Sequence, residues 1–171
     1  MDAPAPRADP GRVATLVHGA QAGDHIAAGD LLDLLTPYVR RLCGPIALEE
    51  GADATQEALI VVLRSIGQLR EPGALFGWVR TIAVREAVRV ARRRPVTAEL
   101  SEVPARGDPQ LAADLRDVLG RLSPQHRAVL LLREIEGLDE SQTAAMLAVP
   151  PGTVKSRLSR ARLAFRKEWQ Q

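Results

Sequence analysis

The chain has 171 residues but only two Trp, one Tyr, two Phe and a single cysteine. One thiol, Cys43, excludes an intrachain disulfide and a cysteine-based metal framework, and it suits a reducing cytoplasm. Long hydrophobic runs are missing too. Ala58–Leu63 and Ala128–Leu132, among the longest, fall far short of the roughly 20 residues that span a bilayer, so membrane insertion is not expected. No glycine cluster follows a strand pattern, which leaves neither a phosphate-binding loop nor a nucleophile elbow. His18, His25 and His126 have no carboxylate or thiol at ligand spacing, so surface positions are expected for all three and no metal site is indicated. Acidic pairs such as Glu134/Glu136 and Asp139/Glu140 read as helix caps and solvated faces. Catalysis and a cofactor therefore have no support in the residues. The net charge, +2, by itself argues for no polyanionic partner.

What is present is aliphatic. Hydrophobic residues make up 46% of the chain, and they recur at helical spacing with no period-two run between hairpin turns. An all-α protein follows, with helices near Val13–Ala22, Ala28–Leu42, Ala52–Ile66, Ala74–Arg94, Gln110–Leu122, Pro124–Glu136, Glu140–Ala148 and Gly152–Trp169. The proline-rich start, Met1–Gly11, reads as a disordered tail. Pro95–Pro109 has three prolines, Gly107 and no periodicity, and it reads as a flexible linker. The expected architecture is thus two small helical domains, residues 12–94 and 110–171, joined by the linker 95–109.

Resolved along the chain, the charge alternates. Met1–Ile60 sums to −5, Val61–Arg94 to +6, Pro95–Pro150 to −4 and Pro151–Gln171 to +5. Two short basic blocks, each compatible with one helix, are the footprint of a protein that touches nucleic acid at two places, although two solvated helix faces would give the same numbers.

The second basic block carries the more specific signal. Leu138–Arg162 reads as a short helix capped by Asp139, a tight turn at Ala148–Pro150, and a second helix whose first turn holds Pro151 and Thr153. This is a helix-turn-helix pattern. Val154, Leu158, Ala161 and Phe165 fall within about 60° of one another and form the buried stripe. Ser156, Ser159 and Arg160 lie opposite, flanked by Lys155 and Arg157. An α-helix fits the DNA major groove, so Lys155, Ser156, Ser159 and Arg160 are assigned to bases, and Arg157 and Arg162 to phosphates. Thr153, at the start of the helix, is counted with them.

Gly152-Thr-Val-Lys-Ser-Arg-Leu-Ser-Arg-Ala-Arg162, preceded by Leu122-Ser-Pro-Gln-His-Arg-Ala-Val-Leu-Leu-Leu-Arg133, closely resembles region four of bacterial RNA polymerase sigma factors of the extracytoplasmic-function (ECF) group. In that family this helix reads the minus-thirty-five promoter element. Asp53-Ala-Thr-Gln-Glu57 is similar to the start of the polymerase-binding helix of region two, so the resemblance covers nearly the whole chain. It implies residues 12–94 as region two and 110–171 as region four, with core RNA polymerase and promoter DNA as partners. An anti-sigma protein is a further partner that the group commonly has.

In Ala74–Arg94, Arg85, Arg89 and Arg92 recur at intervals of four and three, and Trp78 lies at a similar angle. An aromatic plane beside guanidinium groups suits a splayed single strand or a duplex edge, while core packing is the ordinary alternative for Trp78. By resemblance this helix engages the minus-ten element, and Gln68–Ala74 borders a pocket for a flipped base. The sequence departs from the family here. Arg85 and Arg89 stand where Asn and Asp are usual, and Leu59 and Leu63 replace aromatics, so phosphate attraction gains relative to base selection. Asp53, Gln56, Glu57, Leu59, Ile60 and Leu63 are the expected polymerase contacts, in a helix-docking mode, with some of the aliphatics also serving the core. The rival readings are a stand-alone helix-turn-helix regulator and an adaptor that joins a protein to RNA or a membrane.

Overall fold

Eight α-helices and no strand form among the residues described by the computed structural model, 8–93 and 109–170. They are α1 (Pro10–Gln21), α2 (His25–Ala47), α3 (Gly51–Ser65), α4 (Leu75–Arg93), α5 (Pro109–Gly120), α6 (Pro124–Leu130), α7 (Glu140–Leu147) and α8 (Pro151–Trp169). All eight helices expected from periodicity are present. Most of the expected tail Met1–Gly11 and nearly all of the linker Pro95–Pro109 lie outside the described residues. At their edges Pro10 and Gly11 already belong to α1, because Asp9 accepts from the amides of Gly11 and Arg12, and Pro109 opens α5.

Local chemistry sets the boundaries. Asp24 caps α2 through the amides of Ile26 and Ala27 at 2.8 and 3.2 Å, which starts that helix three residues earlier than its apolar pattern does. The same helix continues past Pro37 and Pro45 to Ala47, beyond the expected end at Leu42, since its final turns bury Cys43, Ile46 and Ala47. Close approach needs small residues: a Cβ on Gly51 would stand 3.1 Å from the Gly44 Cα, so these two glycines bring the end of α2 against the start of α3.

Helices α1–α4 pack around Val17, Leu31, Leu35, Leu42, Val62 and Val79, all fully buried, so the core is aliphatic as the composition implies. Helices α5–α8 form the second unit, whose own core among the described residues has Val129, Ala144, Val154, Leu158 and Ala161 buried, with Leu130, Leu147 and Val149 partly buried against them. Five modest side chains are little for a unit of this size. Ala128, Leu131, Leu132, Leu138 and Met146, from the same unit, complete the core of the first. The two units are therefore packed on one another through continuous apolar contact.

Candidate nucleic-acid interface and its intramolecular partners

Asp139 and Gln142 close a capping box at α7, with Gln142 N donating to Asp139 at 2.7 Å and Asp139 N donating to Gln142 at 2.9 Å. Ala148 then adopts a left-handed conformation, φ 53° and ψ 48°, and its amide donates to the carbonyls of Ala144 and Ala145. This reverses the chain into α8, which opens at Pro151. Val154, Leu158 and Ala161 are buried as expected. Phe165 is only half-buried and stacks on Trp169 at 5.8 Å, so the apolar stripe ends near the surface.

The opposite face of α8 is open. Lys155, Ser156, Ser159 and Arg160 are exposed together, with Thr153 and Arg157 at intermediate exposure beside them. Arg160 bends back to the Ser156 carbonyl and hydroxyl at 3.3 and 3.4 Å, weak contacts that leave the guanidinium available. Arg162 points elsewhere: both Nε and Nη2 donate to Glu134, at 2.9 and 2.7 Å. His126, placed on the surface by the sequence reading, is half-buried, unlike exposed His18 and His25. Burial lowers its pKa, and the charges of Arg157 and Arg160 act in the same direction, which records how much positive potential collects at this end of α8.

Arg85, Arg89 and Arg92 of α4 are occupied. Arg85 donates from Nε to the Met146 carbonyl at 2.8 Å and from Nη2 to the Ala145 carbonyl at 3.0 Å. Arg89 is paired with Glu57 at 3.0 Å and with Glu86. Arg92 meets the side-chain amide of Gln125, whose oxygen accepts from the guanidinium when the amide is assigned by its hydrogen bonding. Trp78 packs partly against the apolar core. The three cations share one face of the helix, Arg85 and Arg92 exposed and Arg89 intermediate, but each is tied to a different partner. Before them, Gln68–Ala74 runs from the last residue of one 3-10 turn, Ile66–Gln68, past buried Leu69 to a second, Pro72–Ala74, and is fastened by Gln21, whose amide donates to the carbonyls of Ile66 and Leu69 at 3.0 and 2.7 Å.

On α3, Asp53, Gln56, Glu57 and Ile60 are exposed and line a shallow cleft of about 240 Å³ that Arg93 and Val90 close. Leu59 and Leu63 are half-buried, and Leu59 supports the core, so the surface offered is more polar than the six expected residues imply.

Two buried charges escaped the sequence reading. Arg127, 4% exposed, donates to the carbonyls of Ile46, Leu119 and Leu122 at 2.7, 3.1 and 2.9 Å; burial lowers its pKa, opposed by Glu49. Glu136, 1% exposed, faces Arg80 at 3.1 Å and Arg41 at 3.4 Å. Its pairing with Glu134 in sequence implies a solvated face, which this burial corrects. The chain enters it through a π-helical turn, Leu131–Ile135, and leaves through Gly137 at φ 67°, which turns its carboxylate toward α2 and α4. The apolar run before it was the only sign that this segment goes inward. Among the described residues no group of His, Cys, Asp or Glu could hold a metal ion, and no helix is long and apolar enough to cross a membrane.

A helical protein with a capped helix-turn-helix and a cationic second helix has known counterparts. The family model described as Sigma-70, region 4 matches residues 112–165. RNA polymerase sigma-H factor of Pseudomonas aeruginosa is 35% identical over 91% of this chain and 92% of its own length, and CarQ of Myxococcus xanthus is 32% identical over 75% and 82%. ECF sigma factor SigE of Mycolicibacterium smegmatis is 35% identical over 68% of this chain, which spans about half, 51%, of that relative. Among solved structures, RpoE in complex with the anti-sigma factor NepR, from Bartonella quintana, aligns with a TM-score of 0.67 at 22% identity over 83% of this chain and 96% of that one. CnrH in complex with the cytosolic domain of CnrY gives 0.62 at 20% over 93% and 96%; these two likenesses bear on the fold. The chain belongs to the RNA polymerase sigma factors of the ECF group. That membership favours the sigma-factor reading over a stand-alone helix-turn-helix regulator.

Proposed function

We propose that this protein joins core RNA polymerase and directs it to promoters through two recognition helices, performing no turnover of its own and acting in the cytoplasm. The observation that carries the reading is the joint exposure of Lys155, Ser156, Ser159 and Arg160 on the face of α8 opposite its buried stripe. Those four read bases of the minus-thirty-five element in the major groove, while Thr153 and Arg157 hold its backbone, joined by Arg162 once it is released from Glu134. On α4, Trp78 and Arg85, Arg89 and Arg92 engage the minus-ten element once released from their present partners. Asp53, Gln56, Glu57, Leu59, Ile60 and Leu63 of α3 meet the polymerase. An anti-sigma partner belongs to the proposal as well. An apolar groove of about 830 Å³ between α2, α5, α6 and α8, with Arg41 and Arg166 at its rim beside the Arg162–Glu134 pair, suits an apolar helix with acidic flanks.

In-vitro transcription with core enzyme tests the reading. Initiation should depend on this protein, and Lys155→Ala with Arg160→Ala should lower it roughly tenfold or more at promoters that carry the upstream element. Unaltered initiation by the double variant would remove α8 from recognition. Tight promoter binding without polymerase would instead restore the stand-alone regulator.

A further inference from the structure

An isolated exposed leucine carries no meaning by itself. Leu163 of α8 is 64% exposed, however, and its neighbours at i−3, i+3 and i+4 are the exposed cations Arg160, Arg166 and Lys167. At about 100° per residue it stands roughly 180° from Val154, where the buried stripe begins, and about 160° from Phe165, which lines the apolar groove of α2, α5, α6 and α8. Neither the core nor that groove accounts for it. Its register does. Ser156, Ser159, Arg160 and Leu163 occupy positions i, i+3, i+4 and i+7 of one row, all exposed, and a recognition helix lying along the major groove reads base edges from that set of positions.

The first three members of that row can donate hydrogen bonds, and the fourth cannot. An isobutyl group set against a phosphate or a polar base edge would strip its water and return nothing. In the major groove only thymine shows an apolar group, its C5-methyl. The surrounding charge describes the rest of the partner: three cations around one leucine fit a polyanion with a single apolar spot, and do not fit an apolar groove on a protein. Ser156 and Ser159 are short as well, so α8 can lie close to the base edges and bring Leu163 to them.

We propose that Leu163 is a further specificity residue: it packs on the C5-methyl of a thymine in the upstream promoter element, one or two base pairs from the base that Arg160 reads. The inference rests on the reading of α8 as the recognition helix. Helix geometry sets the spacing, since Leu163 lies about 4.5 Å beyond Arg160 along the axis and base pairs stack at about 3.4 Å. The row then combines a guanidinium that favours guanine, two hydroxyls that tolerate several bases and one side chain that selects a methyl group.

Removing single methyl groups tests it. Promoter duplexes selected by the wild-type holoenzyme from a library randomised across the upstream element supply the probe, and each thymine of the selected element is replaced in turn by deoxyuridine, which keeps the base pair and deletes the methyl. At one thymine the replacement should weaken holoenzyme binding about threefold to fivefold, the worth of one buried methyl group. Leu163→Ala, at an exposed position and with a better helix former, keeps the fold and should bind the thymine and uracil duplexes equally. Leu163→Met should keep most of the difference. A Leu163→Ala variant that still distinguishes thymine from uracil overturns the proposal. So does a wild type that ignores every replacement, and if Leu163→Ala then still lowers initiation, the leucine touches protein. The reading of α8 is judged separately: if Lys155→Ala with Arg160→Ala leaves selection from the same library unchanged, α8 is not the recognition helix and both fall. If that pair abolishes selection and only the methyl effect is missing, Leu163 alone is misassigned.

Discussion

Replacing Arg127 by methionine keeps most of the side-chain volume and removes every donor. Two carbonyls lose the guanidinium as partner, Leu122 just past α5 and Ile46 across the interface in α2, while Leu119 keeps the Leu122 amide at 3.0 Å. Each buried carbonyl left unpaired costs about 1–3 kcal/mol, and entry of water near the end of α5 brings the values to the low end. The variant is relieved of guanidinium desolvation, the cause of the lowered Arg127 pKa, which returns part of the loss. A net destabilisation of about 2 kcal/mol follows. For a chain of this length that lowers Tm by roughly 4–8 °C. Thermal and urea denaturation followed by circular dichroism measure it, with Arg127→Lys as the companion variant. A single ammonium cannot span three separated acceptors, so lysine should fall between the two. A drop below about 2 °C for the methionine variant would show that water satisfies the carbonyls and that Arg127 is not the fastener described.

Ala148 occupies the left-handed region that glycine enters freely, so Ala148→Gly should raise stability by about 0.5–1 kcal/mol, read as a higher urea midpoint; a loss would mean the turn geometry differs. The lowered pKa of His126 means that the unfolded chain takes up a proton at pH values where the folded chain does not. Stability should therefore fall as pH drops below about 6.5 toward the lower folded value, and His126→Gln should flatten that part of the stability profile; an unchanged slope would refute it. Burial pushes the Cys43 thiol up to about 12, so it should resist iodoacetamide at pH 8 in the folded protein and react on denaturation, whereas rapid labelling of the native state would contradict its burial.

The sequence by itself determined the eight helices, the caps at Asp139 and Pro151, and the open face of α8. These depend on residues within a few positions of one another, where helical periodicity and capping chemistry act. Tertiary structure decided what the charges do. Glu136 looks like one more surface acid beside Glu134, yet a π-helical turn and Gly137 carry it inward to arginines more than fifty positions away. Arg85, Arg89 and Arg92 recur as a DNA-tracking row, yet each has an intramolecular partner. Leu131 and Leu132 announce burial, but only the assembled fold shows that they complete the core of the other unit. An apolar or charged side chain specifies what kind of surface it requires, and the meeting of distant helices settles which surface that is.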